Sequence, residues 1–404
     1  MVFVRCRVRT LSALFGSIAL VVAFSVLGAG TASASAGVLR VGCGHGSYRT
    51  IGAAVSAARN GATILVCHGT YREDVLVSKT LSIVGLGHPV IDATGQDNGF
   101  NVIASRSRIQ GFTVKNAIGE GILVGSETPH SAPVSDVTVS GNTVKHNDQG
   151  TPTSSYLQCQ PANGVPGDCG EGIHLVNTSD STVIGNTSTG NSGGILLSDD
   201  TGPTYGNLIE FNNVYNNLFD CGITIAGHTP ALFGGGVHNN KILSNRVTGN
   251  GVKGQGGGVL LATGVPEVNG VPNSGGAVYD NLVEGNYLAG NGLGGVTLHS
   301  HASDENLNGN TIIGNVIGVN NLDPDQDFVG FGPQFYDGEP TGVILAAVSN
   351  VSITVAHNLI ANNAIGIWVG QIPPTPQAPP ATITITGINT NRYINVKNDV
   401  VTVS

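Results

Sequence analysis

The sequence predicts an all-β fold, a single-stranded parallel β-helix of about ten coils, on three observations. A short phrase recurs along the chain: an Asn, four residues, a second Asn, then a glycine-led apolar strand. The first Asn falls at Asn142, Asn186, Asn212, Asn245, Asn286, Asn315 and Asn358, and the second at Asn147, Asn191, Asn217, Asn250, Asn291, Asn320 and Asn363. The apolar runs after them are short and rich in β-branched residues, with no 3.6-residue periodicity. Spacings between successive first Asns are 44, 26, 33, 41, 29 and 43 residues, whereas one coil needs only about two dozen. Most coils therefore carry an insertion.

The strands are Gly172-Ile-His-Leu, Gly194-Ile-Leu-Leu, Gly222-Ile-Thr-Ile, Gly258-Val-Leu-Leu, Gly295-Val-Thr-Leu, Gly342-Val-Ile-Leu and Gly366-Ile-Trp-Val. Alternation turns Ile and Leu inward and a variable residue outward. Asn suits the corners because it tolerates left-handed backbone, and stacked Asn side chains hydrogen-bond along the stack. A third column, Asn207, Asn240, Asn281 and Asn310, stands five residues before a first Asn. Insertions at 126–135, 198–206, 227–239, 263–279 and 299–309 follow the glycine-led strand; those at 148–170 and 321–341 precede it. One-sided loops of this kind build a binding face. Near the N-terminus a helix is expected over 51–60, capping the open end of the solenoid. Strands are expected at 63–67, 74–77, 81–84, 100–104 and 111–115, and strand alternation returns over 381–404.

Residues 1–36 read as a secretory signal: Arg5, Arg7 and Arg9, an apolar stretch from Leu11 to Leu27, then Ala34-Ser-Ala36. The mature domain, 37–404, is expected outside the cell, with no membrane association after cleavage. Loss of the three arginines takes the net charge from −9 to −12, which disfavours nucleic acid as a partner. Cys43 with Cys67, and Cys159 with Cys169, are expected disulfides in an oxidising compartment, leaving Cys221 a buried thiol.

Five N-terminal segments carry a family resemblance. They are Thr50-Ile-Gly-Ala-Ala-Val-Ser-Ala-Ala, Gly61-Ala-Thr-Ile-Leu-Val, Gly69-Thr-Tyr-Arg-Glu, Leu81-Ser-Ile-Val-Gly and Val90-Ile-Asp-Ala. Together they resemble the first coils of the pectin-lyase-like right-handed β-helix superfamily. The Asn and Gly coils after residue 100 resemble its general repeats, including those of NosD-type periplasmic proteins. The resemblance implies a right-handed helix. It leaves function open among lyases, glycosidases, epimerases, fructotransferases and non-catalytic binders.

Register aligns polar residues along the solenoid. Asp200, His228 and His301 each stand five residues after the apolar residue that opens a strand. Coils lie ~4.8 Å apart, so Asp200 approaches His228, with His301 roughly 10 Å further on. His299 points the same way as His301, Asp199 and Asp220 stand close by, and His174 lies on an earlier coil. Carboxylates and imidazoles in line suit acid/base work on a glycan, so Asp199, Asp200, Asp220, His228, His299 and His301 are the catalytic candidates. Asp199-Asp200 and Gly227-His228 resemble motifs of polygalacturonase-type glycosidases, but the flanking motifs are absent and that mechanism is not carried over.

The loops at 198–208, 226–239, 262–279, 299–309 and 322–341 contain no Lys or Arg. Such a face repels a polyuronate unless calcium intervenes. It suits a neutral sugar held by aromatic rings and hydroxyl-binding groups. Tyr205, Phe233, Tyr279, Asp304 and Arg246 are the expected substrate contacts. The leading expectation is an enzyme that cleaves or rearranges glycosidic bonds of a neutral or weakly charged polysaccharide or oligosaccharide. The alternatives are a non-catalytic glycan- or metal-binding surface protein and a calcium-dependent polyuronate lyase or epimerase. No cofactor is expected, calcium at the acidic run Asp323-Pro-Asp-Gln-Asp327 excepted, and no metal site is assigned. The outward row Leu123, His174, Leu196, Thr224, Leu260, Thr297, Ile344 and Trp368 needs cover. Either the inserted loops or packing as a homotrimer would supply it.

Overall fold

A computed structural model describes residues 37–128, 130–147, 171–227, 235–263, 267–268, 271–272, 275–324, 337–374 and 378–404. The chain is a right-handed parallel β-helix. A full coil runs through four sheets in turn, as in Ile195–Ser198, Thr204–Tyr205, Leu208–Glu210 and Asn213–Tyr215. We call these the front, corner, back and side sheets. They hold eleven, five, twelve and eleven strands among the described residues. The hairpin Glu267–Val268 with Val271–Pro272 is antiparallel. The seven glycine-led strands all fall in the front sheet. Their leading apolar residues form one column, Ile173, Ile195, Ile223, Val259, Val296, Val343 and Ile367, each wholly buried. Burying each such side chain contributes about 1.5–3 kcal/mol.

The Asn columns are continuous hydrogen-bonded ladders. Along the first, each side-chain oxygen accepts both the backbone N–H and the Nδ2 of the Asn one coil earlier. Asn212 donates in this way to Asn245 at 2.9 and 3.0 Å, and Asn245 to Asn286 at 2.8 and 3.0 Å. Nδ2 also donates to a backbone carbonyl, for Asn245 that of Ile209 at 2.9 Å. This ladder runs on through Asn358 to Asn391, beyond the seven repeats visible in sequence. The expected left-handed corner is real, but the Asn does not occupy it. The residue before it does: Gly141, Gly185, Phe211, Ser244, Gly285, Gly314 and His357 have φ between 53° and 66°. The ladder needs the Asn side chain turned inward, so the reversal is made one residue earlier.

The N-terminal helix spans Ile51–Ala57, three residues shorter than expected, because the chain is already extended at Ala58. Thr50 caps it, and Glu73 accepts the N–H groups of Ile51 and Gly52 at 2.8 Å each. Lys79 donates to the carbonyls of Val55, Ser56 and Ala58 at the other end. Both ends thus meet the charge that their orphan groups favour. The Cys43–Cys67 disulfide is formed. Cys159 and Cys169 lie outside the described residues. Cys221 is a buried free thiol whose Sγ accepts the Gly257 N–H. Among the described residues no helix is long and apolar enough to cross a membrane.

The outward row of the front sheet is covered within the single chain. Leu123, His174, Leu196, Thr224, Thr297, Ile344 and Trp368 are all buried, and Leu260 is half-buried. Toward the C-terminus, Ile344, Ala346, Trp368 and Ile372 pack with Leu293 and Val348 into a second apolar cluster outside the solenoid core. That row therefore gives no reason to invoke a homotrimer.

Candidate functional site

In chain order each front-sheet strand follows the side sheet, and each but the last precedes the corner or back sheet. On the earlier coils of the front sheet a polar network crosses its outward face. The Glu120 and Glu127 carboxylates bracket the strand Ile122–Val124, and His174 stands one coil on, paired with Leu123. His174 Nδ1 lies 3.4 Å from Glu120 and 3.5 Å from Glu127. Its Nε2 is 2.8 Å from the Ser198 hydroxyl, which donates to Asp200 Oδ2 at 2.5 Å. Since the Ser198 proton points to Asp200, Nε2 carries the other hydrogen and donates it. Burial by itself would lower the His174 pKa. The two carboxylates outweigh it and carry the imidazole up to about 10.

Beside this network Gly193 opens a gap between two further acids. A Cβ there would lie 2.9 Å from Glu171 Oε1 and 3.1 Å from Asp220 Oδ2, so both carboxylates converge over the bare glycine. Glu120 and Glu171 stand at the same repeat position, two residues before Ile122 and Ile173. Of the Asp199-Asp200 pair, Asp199 is buried and Asp200 is half-exposed at the corner. Asp200 is thus the accessible member of the pair.

Three coils past Ser198, pairing runs through Ala226 and Ala262 to His299. The His299 and His301 rings are 4.7 Å apart. Burial, then the neighbouring His301, holds the His299 pKa well below its usual value, so this ring is neutral at pH 7. His301 Nδ1 donates to the Thr263 carbonyl at 2.5 Å, which leaves Nε2 as the basic nitrogen. Glu305 fixes the turn, accepting the His301 and Ala302 N–H groups and the Thr263 hydroxyl at 2.6, 2.9 and 2.7 Å. Asp304 is exposed on the same turn. His228 and Phe233 lie outside the described residues, as do Asp325 and Asp327 of the expected calcium run.

The other expected substrate contacts stand elsewhere. Tyr205 and Tyr279 are on the corner sheet with His238 stacked between them, at 5.1 and 4.7 Å. Their facing ring surfaces are taken, and only outer faces and edges remain for a sugar. Arg246 opens a side-sheet strand and stacks on Tyr287, 4.7 Å from the ring centre. It belongs to the side sheet and not to the front sheet, so it is off the face that carries the carboxylates. Sequence reasoning missed Glu120, Glu127, Glu171, Ser198 and Glu305. The usable signal was the repeated Gly119-Glu120-Gly121-Ile122 and Gly170-Glu171-Gly172-Ile173.

The family model described as the right handed beta helix region matches residues 90–273. Among solved structures, an alginate lyase from Paenibacillus sp. str. FPU-7 is similar with a TM-score of 0.50 at 14% identity, over 88% of this chain and 99% of that one. Pectate lyase Pel9A is similar with a TM-score of 0.47 at 16% identity, over 88% and 78%. The DFA-IIIase from Arthrobacter chlorophenolicus A6 gives 0.46 at 14% identity, over 89% and 98%. At these identities the likeness is one of fold. No curated protein matches. The right-handed coil expected from the N-terminal resemblance is the fold that the described chain adopts.

Proposed function

We propose that this protein is a secreted carbohydrate-active enzyme that cleaves or rearranges glycosidic bonds at the outward face of the front sheet. The observation that carries the reading is the set of carboxylates held there by a fixed scaffold. Asp200 is oriented by Ser198 and His174, and Glu171 and Asp220 meet over Gly193. Glycosidic bond cleavage needs two carboxyl groups in different environments, one to give a proton and one to act as base or nucleophile. The half-exposed Asp200 next to the buried Asp199, and the half-exposed Asp220 against the buried Glu171, supply that contrast. His301, with Nε2 basic, is the second candidate proton acceptor. The disulfide Cys43–Cys67 supports an oxidising destination. Absence of Lys and Arg from the loops favours a neutral or weakly charged glycan over a polyuronate.

The test is a screen of the secreted protein against neutral and acidic glycans. Reducing ends and unsaturated products are followed in parallel, with and without calcium. New reducing ends or rearranged oligosaccharides without ultraviolet absorbance, lost in Asp200→Asn, are the expected result. Calcium-dependent absorbance would replace this reading with the lyase one. Silence on every glycan would leave a binding protein.

A further inference from the structure

We infer that Glu120, Glu127 and His174 form a binding site for a divalent transition-metal ion of the zinc type. This goes beyond the glycan-processing reading and does not depend on it. One oxygen from each carboxylate and one imidazole nitrogen lie within 4.8 Å of one another.

Three features distinguish this cluster from an ordinary buried ion pair. The first is spacing. His174 Nδ1 stands 3.4 and 3.5 Å from the two carboxylates. A charge-assisted N–H···O bond closes to about 2.7–2.9 Å. Two ligands on a tetrahedral ion with bonds of 2.0–2.2 Å stand about 3.4 Å apart. The second is satisfaction. His174 is 2% exposed, yet Nδ1 makes no hydrogen bond, and neither does Glu127 Oε2. A buried nitrogen aimed between two acids at metal-ligand spacing is held there by charge without a closed hydrogen bond and is correctly placed as a ligand.

The third is the support behind the ring. A metal-bound histidine commonly donates its other N–H to a carboxylate or a group tied to one, which fixes the tautomer. His174 Nε2 does this through Ser198 to Asp200. That chain of hydrogen bonds holds the ring with Nδ1 toward Glu120 and Glu127. One imidazole and two carboxylates suit zinc, cobalt or manganese, and calcium ordinarily takes only oxygen ligands. Glu127 stands on the loop after the strand with its side chain 11% exposed, so the site opens at this edge.

The experiment uses the full secreted chain, stripped with chelator and titrated with zinc chloride, then with cobalt chloride. Wild type is expected to take up a single zinc ion per chain and to give visible cobalt bands. Glu127→Gln should weaken zinc binding at least roughly 10–100-fold, as should Ser198→Ala through loss of the supporting hydrogen bond. His174→Gln should abolish the cobalt bands, and His299→Gln should leave zinc uptake and the cobalt bands as in wild type. Far-ultraviolet circular dichroism checks each fold. If His174→Gln fails to fold, Glu127→Gln at the rim decides. No uptake of either metal by wild type would overturn the assignment. So would full uptake by Glu127→Gln, or displacement of the zinc by equimolar calcium.

Discussion

The Asn-lined corner between the back and side sheets and the outward face of the front sheet are built from the same coils, by opposite rules. At the corner every coil from Asn142 to Asn391 repeats one residue in one geometry, and each Asn is tied to the next. On the front face no two successive coils carry the same outward side chain: Leu123, His174, Leu196, Thr224. The corner gains by uniformity, because a ladder is worth most when no rung is missing. The face varies, and that variation brings acids and imidazoles of neighbouring coils together as no uniform repeat would.

Breaking the corner should give the largest stability effect. Asn245→Ala removes the acceptor for the Asn212 N–H and Nδ2 and the donor to Ile209, deep in the solenoid. With buried groups left unsatisfied, the loss should be about 2–4 kcal/mol in urea unfolding. A loss below half a kcal/mol would mean that the ladder is not structural.

The loop side offers the reverse case, a buried acid outside any ladder. Burial pushes Asp337 up to about 6, although the Thr341 hydroxyl and Glu339 N–H partly offset it. Since its folded pKa is raised, stability from this group is full below about pH 4 and is lost as pH rises through about 6. The loss is about 3 kcal/mol at most. Asp337→Asn should be more stable than wild type above pH 7 and should flatten the profile between pH 4 and 7. An unchanged profile would show that Asp337 ionises freely.

A smaller change sharpens the corner rule. Phe211 holds φ of 55° while equivalent coils use Gly141, Gly185, Gly285 and Gly314. Its ring is 59% exposed, so little packing is lost on truncation. Phe211→Gly should raise stability by about 0.5–1 kcal/mol, read as a higher melting temperature. Gly193→Ala tests the acid pair, because the new methyl lies 2.9 Å from Glu171 Oε1, 3.1 Å from Asp220 Oδ2 and 3.2 Å from Glu171 Cγ, so these side chains must shift. Its expected signature is reduced turnover with the β-helix retained by circular dichroism. Unchanged turnover would remove the Glu171–Asp220 pair from the chemistry.

The two regions also differed in how far they could be read from sequence. The Asn columns and the front-sheet register were legible because each repeats a fixed chemical need at a fixed offset. Strand pairing of Ile195, Ile223, Val259 and Val296 follows the predicted alignment residue for residue. Two details at the corner were not legible. The left-handed residue precedes the Asn, and its identity varies from Gly to Phe. On the front face, the His299–His301 pairing was legible from their spacing. The meeting of Glu120, Glu127 and His174 was not, since two long side chains seven residues apart fold back over a strand to reach the next coil. Asp199 and Asp200 looked equivalent as neighbours; alternation buries one and leaves the other at the corner.

The most direct test sets the two regions side by side: turnover on the glycan found by screening, and the melting temperature, for Asp200→Asn and Asn245→Ala. The account predicts that Asp200→Asn loses about 10²–10⁴-fold in turnover with its melting temperature preserved. It predicts that Asn245→Ala melts early while its folded fraction keeps wild-type turnover. Full turnover in Asp200→Asn, with the loss falling on Asn245→Ala, would contradict it.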